Sequence, residues 1–208
     1  MDFQLKNKHI SEANIEKMIR DILGVNDSNI DYSIASIKPI KEADFYGGFR
    51  VMLLAKLENL KQYVPIDVAT GDVITPHPIN YQYESVFDKN LISVNACPIE
   101  TLVAEKLETV YSRGFLNSRS KDYFDLYLIW MMKSKELNKD IVKEALTNTF
   151  SYRNTELDFV KMKKLLTQLD NPIFLDRWEA YRKKNNFVGE LSFQEVLKSI
   201  LKLIEFLE

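Results

Sequence analysis

Asp122 and Asp125 interrupt a stretch, Tyr123-Phe124 and then Leu126-Tyr127-Leu128-Ile129-Trp130-Met131-Met132, that is apolar on nearly every side of a helix. A helix with that pattern is buried, and buried carboxylates need partners. Lys106, Arg113, Arg119 and Lys121 are the nearby supply. At about 100° per residue, Ile99, Leu102, Val103, Leu107, Val110 and Tyr111 share one arc of the preceding helix. Lys106 and Arg113 fall inside that arc, whereas Glu100, Thr101, Glu105 and Glu108 fall mostly outside it. Two chemistries fit these charges. They form an ion-pair network that ties two helices together, or they line a cleft in which a cation holds phosphate and a carboxylate orients it. The lysine and arginine stems can also cover apolar surface while their heads reach water.

Asp67 is the other acid in an unexpected setting. Val64-Pro65-Ile66-Asp67-Val68-Ala69 reads as a strand whose alternation puts Val64, Ile66 and Val68 on one face and Asp67 on the other, beside Pro65 and Ala69. An acid on an open sheet face is ordinarily solvated. Carboxylates projecting from adjacent strands also make a hard-cation site of the kind magnesium takes, with phosphate oxygens completing the shell. Asp2, flanked by Met1 and Phe3, is a candidate second ligand.

These residues must be positioned by a helix, then strands, then helices. Residues 11–23 place Ile15, Met18, Ile19, Ile22 and Leu23 at helical spacing, with Ser11 as N-cap and Gly24 as stop. Strand-like stretches follow over 30–40, 49–57 and 63–69, punctuated as turns by Gly47-Gly48 and by residues 58–62. Residues 81–94 read as a short hairpin or irregular pair. Pro98 and Gly114 delimit a helix over 98–113, and further helices are expected over 120–133, 140–150, 156–168, 172–182 and 193–207. The fold class is therefore α+β, with an α+β domain over 1–96 and a helical domain over 97–208.

A chain of 208 residues with 46% hydrophobic and 28% charged residues has the balance of a folded globular protein. Its 28 basic and 30 acidic residues exclude a polycation built to coat nucleic acid. A single cysteine, no basic-then-apolar leader and no apolar run near the ~18 residues of a membrane span predict a soluble protein of the reducing cytoplasm with no membrane partner. His9 and His77 are isolated from other metal-ligating types, so zinc is not expected, and Cys97 has no catalytic setting. The basic clusters Arg182-Lys183-Lys184 and Lys161 with Lys163-Lys164 fit solvated helix faces, or an RNA backbone in a helical RNA-binding protein.

Taken in order, Tyr46-Gly47-Gly48-Phe49-Arg50-Val51, Ile66-Asp67-Val68-Ala69-Thr70-Gly71-Asp72, Ala104-Glu105-Lys106-Leu107 and Lys121-Asp122-Tyr123-Phe124-Asp125-Leu126-Tyr127 resemble the AbiEii/AbiGii nucleotidyltransferase toxin family of type IV toxin–antitoxin and abortive-infection systems. The resemblance runs from Asp2 to about Leu128. It implies a DNA-polymerase-β-like nucleotidyltransferase domain followed by an α-helical domain. It also implies transfer of a nucleotide from a magnesium-bound nucleoside triphosphate to RNA, a tRNA end being one acceptor, with a functional antitoxin partner that need not bind tightly. By resemblance Asp2 is the second of a pair of aspartates and Asp67 the third acid, both ligands of Mg2+. Lys106 contacts nucleotide phosphate, Asp122 is the aspartate of the last motif, and Arg113 and Asp125 support nucleotide binding. The family's paired aspartates are separated by one residue, so Met1 takes the place between them, and the first aspartate and the Gly-rich turn before it are missing; an N-terminally incomplete domain and an impaired enzyme are expected. The rival expectation is a non-catalytic interaction module in which Lys106, Arg113, Asp122 and Asp125 are a buried ion network.

Overall fold

The computed structural model describes residues 2–5, 11–25, 28–40, 48–70, 73–86 and 88–208, apart from the side chains of Asp2 and Thr70. The chain divides into two compact units, Met1–Asp72 and Val73–Glu208.

The first unit is a four-stranded sheet with one helix. Its strands are β1 (Asp2–Leu5), β2 (Asp31–Pro39), β3 (Gly48–Leu57) and β4 (Leu60–Thr70), in the spatial order β1-β4-β3-β2. β2, β3 and β4 form an antiparallel meander, and β1 adds parallel to β4. Helix α1 (Glu12–Leu23) starts where expected, because the Ser11 side chain accepts from the Asn14 N–H and so satisfies one of the orphan donors of the first turn. Ile15 and Ile19 of α1 pack with Val51, Leu53 and Val68, the alternate positions of β3 and β4 that the apolar periodicity assigns to one face. Asp67, Arg50, Met52 and Pro65 occupy the other face by register. The turn foreseen over 58–62 is tighter than that: β4 already begins at Leu60, and Glu58 takes a positive φ of 51°. Gly48 is the first residue of β3 rather than part of a turn, while Gly47 and His9 lie outside the described residues.

The second unit opens with an antiparallel hairpin of β5 (Ile79–Glu84) and β6 (Leu91–Ala96), followed by α2 (Ile99–Arg113), α3 (Ser120–Lys133), α4 (Lys139–Tyr152), α5 (Phe159–Gln168), α6 (Pro172–Lys184) and α7 (Phe193–Leu207). The division between units falls after Asp72, so the hairpin belongs with the helices, whereas the sequence placed the boundary at 96/97. Thr75 explains why: its N–H donates to the Thr101 hydroxyl and its carbonyl accepts from the same hydroxyl, both at 2.9 Å, and Asn148 donates to its side chain. Thr101 and Thr75 are both buried. Helix α7 is the central element. A capping box of Ser192 and Glu195 starts it, and Phe193, Val196, Leu197, Ile200, Leu203, Ile204 and Leu207 are all buried. Leu107 of α2, Leu126 of α3, Leu146 of α4 and Met162 of α5 belong to the same core.

Candidate functional site

In the first unit the two predicted acids are neighbours. β1 pairs with β4 in a register that sets Asp2 directly across from Asp67, a strand spacing of about 4.8 Å. Asp67 is not simply solvated. Arg50, opposite it on β3, donates Nε to Oδ1 at 2.7 Å and Nη2 to Oδ2 at 2.6 Å, a bidentate fork. The hydrogen bond from Arg50, opposed by burial and aided by the guanidinium charge, holds the Asp67 carboxyl below its ordinary range. Arg50 carried no role in the sequence reading. Its signal was a cation on the side of β3 opposite Val51 and Leu53, a side it shares with Lys56, but the register that sets it against Asp67 is not readable from one strand.

In the second unit Lys106 meets both acids of α3. Its Nζ lies 2.6 Å from Asp125 Oδ2 and 3.1 Å from Asp122 Oδ1. α2 and α3 pack together, and the i,i+3 spacing of the two acids puts both carboxylates on the helix face that Lys106 approaches. Burial works against the Lys106 ammonium, but the Asp125 hydrogen bond and the Asp122 charge outweigh it, so its pKa is raised. The Asp122 side chain is only 4% exposed. Its Oδ2 has no hydrogen-bond partner among the described residues: Arg119 Nε is at ion-pair distance, 3.3 Å, without hydrogen-bond alignment. The phenol of Tyr181 on α6, shifted upward by its own burial, also feels the charges of Asp125, Lys106 and Asp122, which places it beside the cluster. Arg113 sits half-buried in the last turn of α2, seven residues from Lys106, or about 10 Å along the axis.

A second buried network escaped the sequence reading. Glu108, assigned to the outer side of α2, is 4% exposed. Its carboxylate accepts from Arg153 Nη1 at 2.8 Å and from the Thr155 hydroxyl at 2.7 Å. Thr101, likewise assigned outward, is fully buried. The cause is α4, which packs on the flank of α2 that periodicity treats as polar. Three of the six cations in the basic clusters are paired with acids: Arg182 with Glu179 and Glu190, Lys161 with Glu156 and Asp158, and Lys163 with Glu208.

Among the described residues, no group of three or more His, Cys, Asp or Glu is arranged around a metal position. The Asp67 carboxylate nevertheless suits a cation that takes one or two carboxylates and draws its other ligands from phosphate and water, and the backbone register sets the Asp2 position across from it. No described helix is long and apolar enough to cross a membrane.

A family model described as nucleotidyl transferase AbiEii toxin, type IV toxin–antitoxin system, matches residues 1–199. Two crystal structures from Helicobacter pylori share the fold. One, of a protein assigned as a nucleotidyltransferase, aligns with a TM-score of 0.52 at 13% identity over 99% of this chain and 76% of that one. The other, of JHP933, aligns with a TM-score of 0.51 at 13% identity over 99% of this chain and 73% of that one. No curated protein matches the chain.

Proposed function

Since the chain belongs to the AbiEii nucleotidyl transferase toxin family of type IV toxin–antitoxin systems, we propose that it transfers a nucleotide from a magnesium-bound nucleoside triphosphate to RNA, with a tRNA end as the first acceptor to test. The family brings a nucleotide substrate and an antitoxin partner; in this reading the antitoxin acts on transcription or a shared pathway rather than by tight binding. The first unit is read as a polymerase-β-like nucleotidyltransferase sheet. The observation that carries the reading is the register of β1 on β4, which sets two acids side by side. Asp67 and Asp2 would hold the cation. Bound magnesium supplies neutralisation of charge developing on the α-phosphate and activation of the attacking hydroxyl.

Lys106 contributes a positive charge that its raised pKa keeps at all physiological pH, suited to triphosphate oxygens and the leaving pyrophosphate. Asp122 and Asp125 orient that ammonium, and Arg113 adds a second cation on the same helix. A second reading, the non-catalytic module, is favoured by one observation: Lys106 is engaged by two acids, one of them almost fully buried, as in a structural ion network. The pairing of Arg182, Lys161 and Lys163 with acids speaks against a helical RNA-binding protein.

The deciding experiment incubates the purified chain with tRNA, magnesium and each α-labelled nucleoside triphosphate, alongside equilibrium nucleotide binding. Magnesium-dependent label in RNA, abolished in Asp67→Asn, is the expected result. Folded protein that neither labels RNA nor binds nucleotide in a magnesium-dependent way would establish the non-catalytic module instead.

A further inference from the structure

The Asp67 carboxylate is already held by a cation of the chain itself. Arg50 engages both of its oxygens through a single planar fork, at 2.7 and 2.6 Å. A divalent cation coordinating Asp67 needs at least one of those oxygens with its lone pairs turned to the metal. It would also stand close to a guanidinium of like charge, so the two cations compete for one carboxylate. The exchange is sterically open, because the Arg50 side chain is 56% exposed and sits at the end of a flexible stem on the sheet face away from α1.

We propose that Arg50 is the exchangeable counter-ion of the metal position: it neutralises Asp67 before a cation arrives, is displaced by the cation, and then offers its released donors to the phosphate oxygens of the nucleotide. This rests on Asp67 being a metal ligand, as read above. Arginine suits both tasks, since its rigid fork matches carboxylate and phosphate alike and it stays charged at any working pH. Arg50 on this account is a positioning residue for the metal and a binding residue for the nucleotide, and the two roles shift affinity in opposite directions when it is removed.

The test uses the full chain with Mn2+ as the probe, following free ion by electron paramagnetic resonance, and ATP as the nucleotide probe in saturating Mn2+. Arg50→Gln is expected to bind Mn2+ about three- to tenfold more tightly than the parent and ATP several-fold more weakly. Arg50→Lys should fall between, because an ammonium makes a point contact rather than a fork. A merely structural role would loosen both. Circular dichroism confirms that each variant is folded. If Asp67→Asn removes Mn2+ binding but Arg50→Gln leaves it unchanged or weaker, the exchange is wrong while the metal reading survives. Unchanged ATP affinity in Arg50→Gln would overturn the phosphate role. Mn2+ binding that persists in Asp67→Asn, or that is absent from the parent and Arg50→Gln alike, overturns the metal reading and this inference with it.

Discussion

Removing the Lys106 charge is the sharpest probe of the second unit. In Lys106→Met the stem and its packing are largely kept, but Asp122 Oδ1 loses a contact of 3.1 Å and Asp125 Oδ2 one of 2.6 Å. Asp122 is then a 4% exposed carboxylate beside Arg119, whose Nε is 3.3 Å away and poorly aligned. Orphaning one member of a fully buried pair costs about 3–5 kcal/mol. Lys106 and Asp125 are 20% and 23% exposed, so water compensates part of that. A loss of about 2–3 kcal/mol is expected, or roughly 5–10 °C in the melting temperature for a chain of this size. Urea unfolding followed by circular dichroism measures it. Adding Asp122→Asn removes the stranded charge, so the double variant should recover at least half the loss; the cycle isolates the coupling of the two residues. A Lys106→Met loss below about 0.5 kcal/mol, with no recovery, would refute the claim that this network supports the fold. Nucleotide affinity of the stable double variant then reports whether the ammonium also serves phosphate.

Two further outcomes follow from buried polar groups. Arg153→Met strands Glu108 and should cost about 3 kcal/mol in urea unfolding, whereas Glu108→Gln, which can still accept from Thr155, should cost about half as much. Among the described residues the buried Tyr123 hydroxyl and Asn117 Nδ2 have no hydrogen-bond partner, although Asn117 is near enough to influence the phenol and its Oδ1 accepts from the Arg119 N–H. Burial raises that phenol strongly above its ordinary 10.0, so the unfolded chain loses the proton first and stability falls as pH rises past about 10; Lys106, raised from 10.5, adds to the same alkaline loss. Tyr123→Phe should be neutral or up to about 1 kcal/mol stabilising at pH 7, and its thermal melts between pH 9 and about 11 should decline less steeply than the parent's.

The helices were legible because their signals are local. Ser11 caps α1, and Pro98 and Gly114 bracket α2, each within a few residues of the pattern that announces it. The Lys106 cluster was legible for a related reason: charges inside an apolar arc must meet something, and two helices adjacent in sequence usually pack. What escaped depends on partners distant in the chain. Glu108 and Thr101 turned inward because α4 and Thr75 reach them from 45 and 26 residues away. Arg50 found Asp67 through strand register, which alternation alone leaves free by any even number of residues. β1 is four residues long, too short to carry a period, so its pairing with β4 is not announced by any local pattern.

Thr75 also decides how this protein can be taken apart. A single hydroxyl on Thr101 closes both backbone groups of Thr75, and Asn148 secures the Thr75 side chain from α4. A fragment begun at Cys97, next to the proline that opens α2, would leave the Thr101 hydroxyl and the Asn148 amide without their partners on Thr75. A fragment begun at Val73 carries the clasp with it. The natural seam of the molecule is thus ahead of the hairpin, and the six residues of β5 and six of β6 travel as luggage of the helices rather than as an outlying part of the sheet.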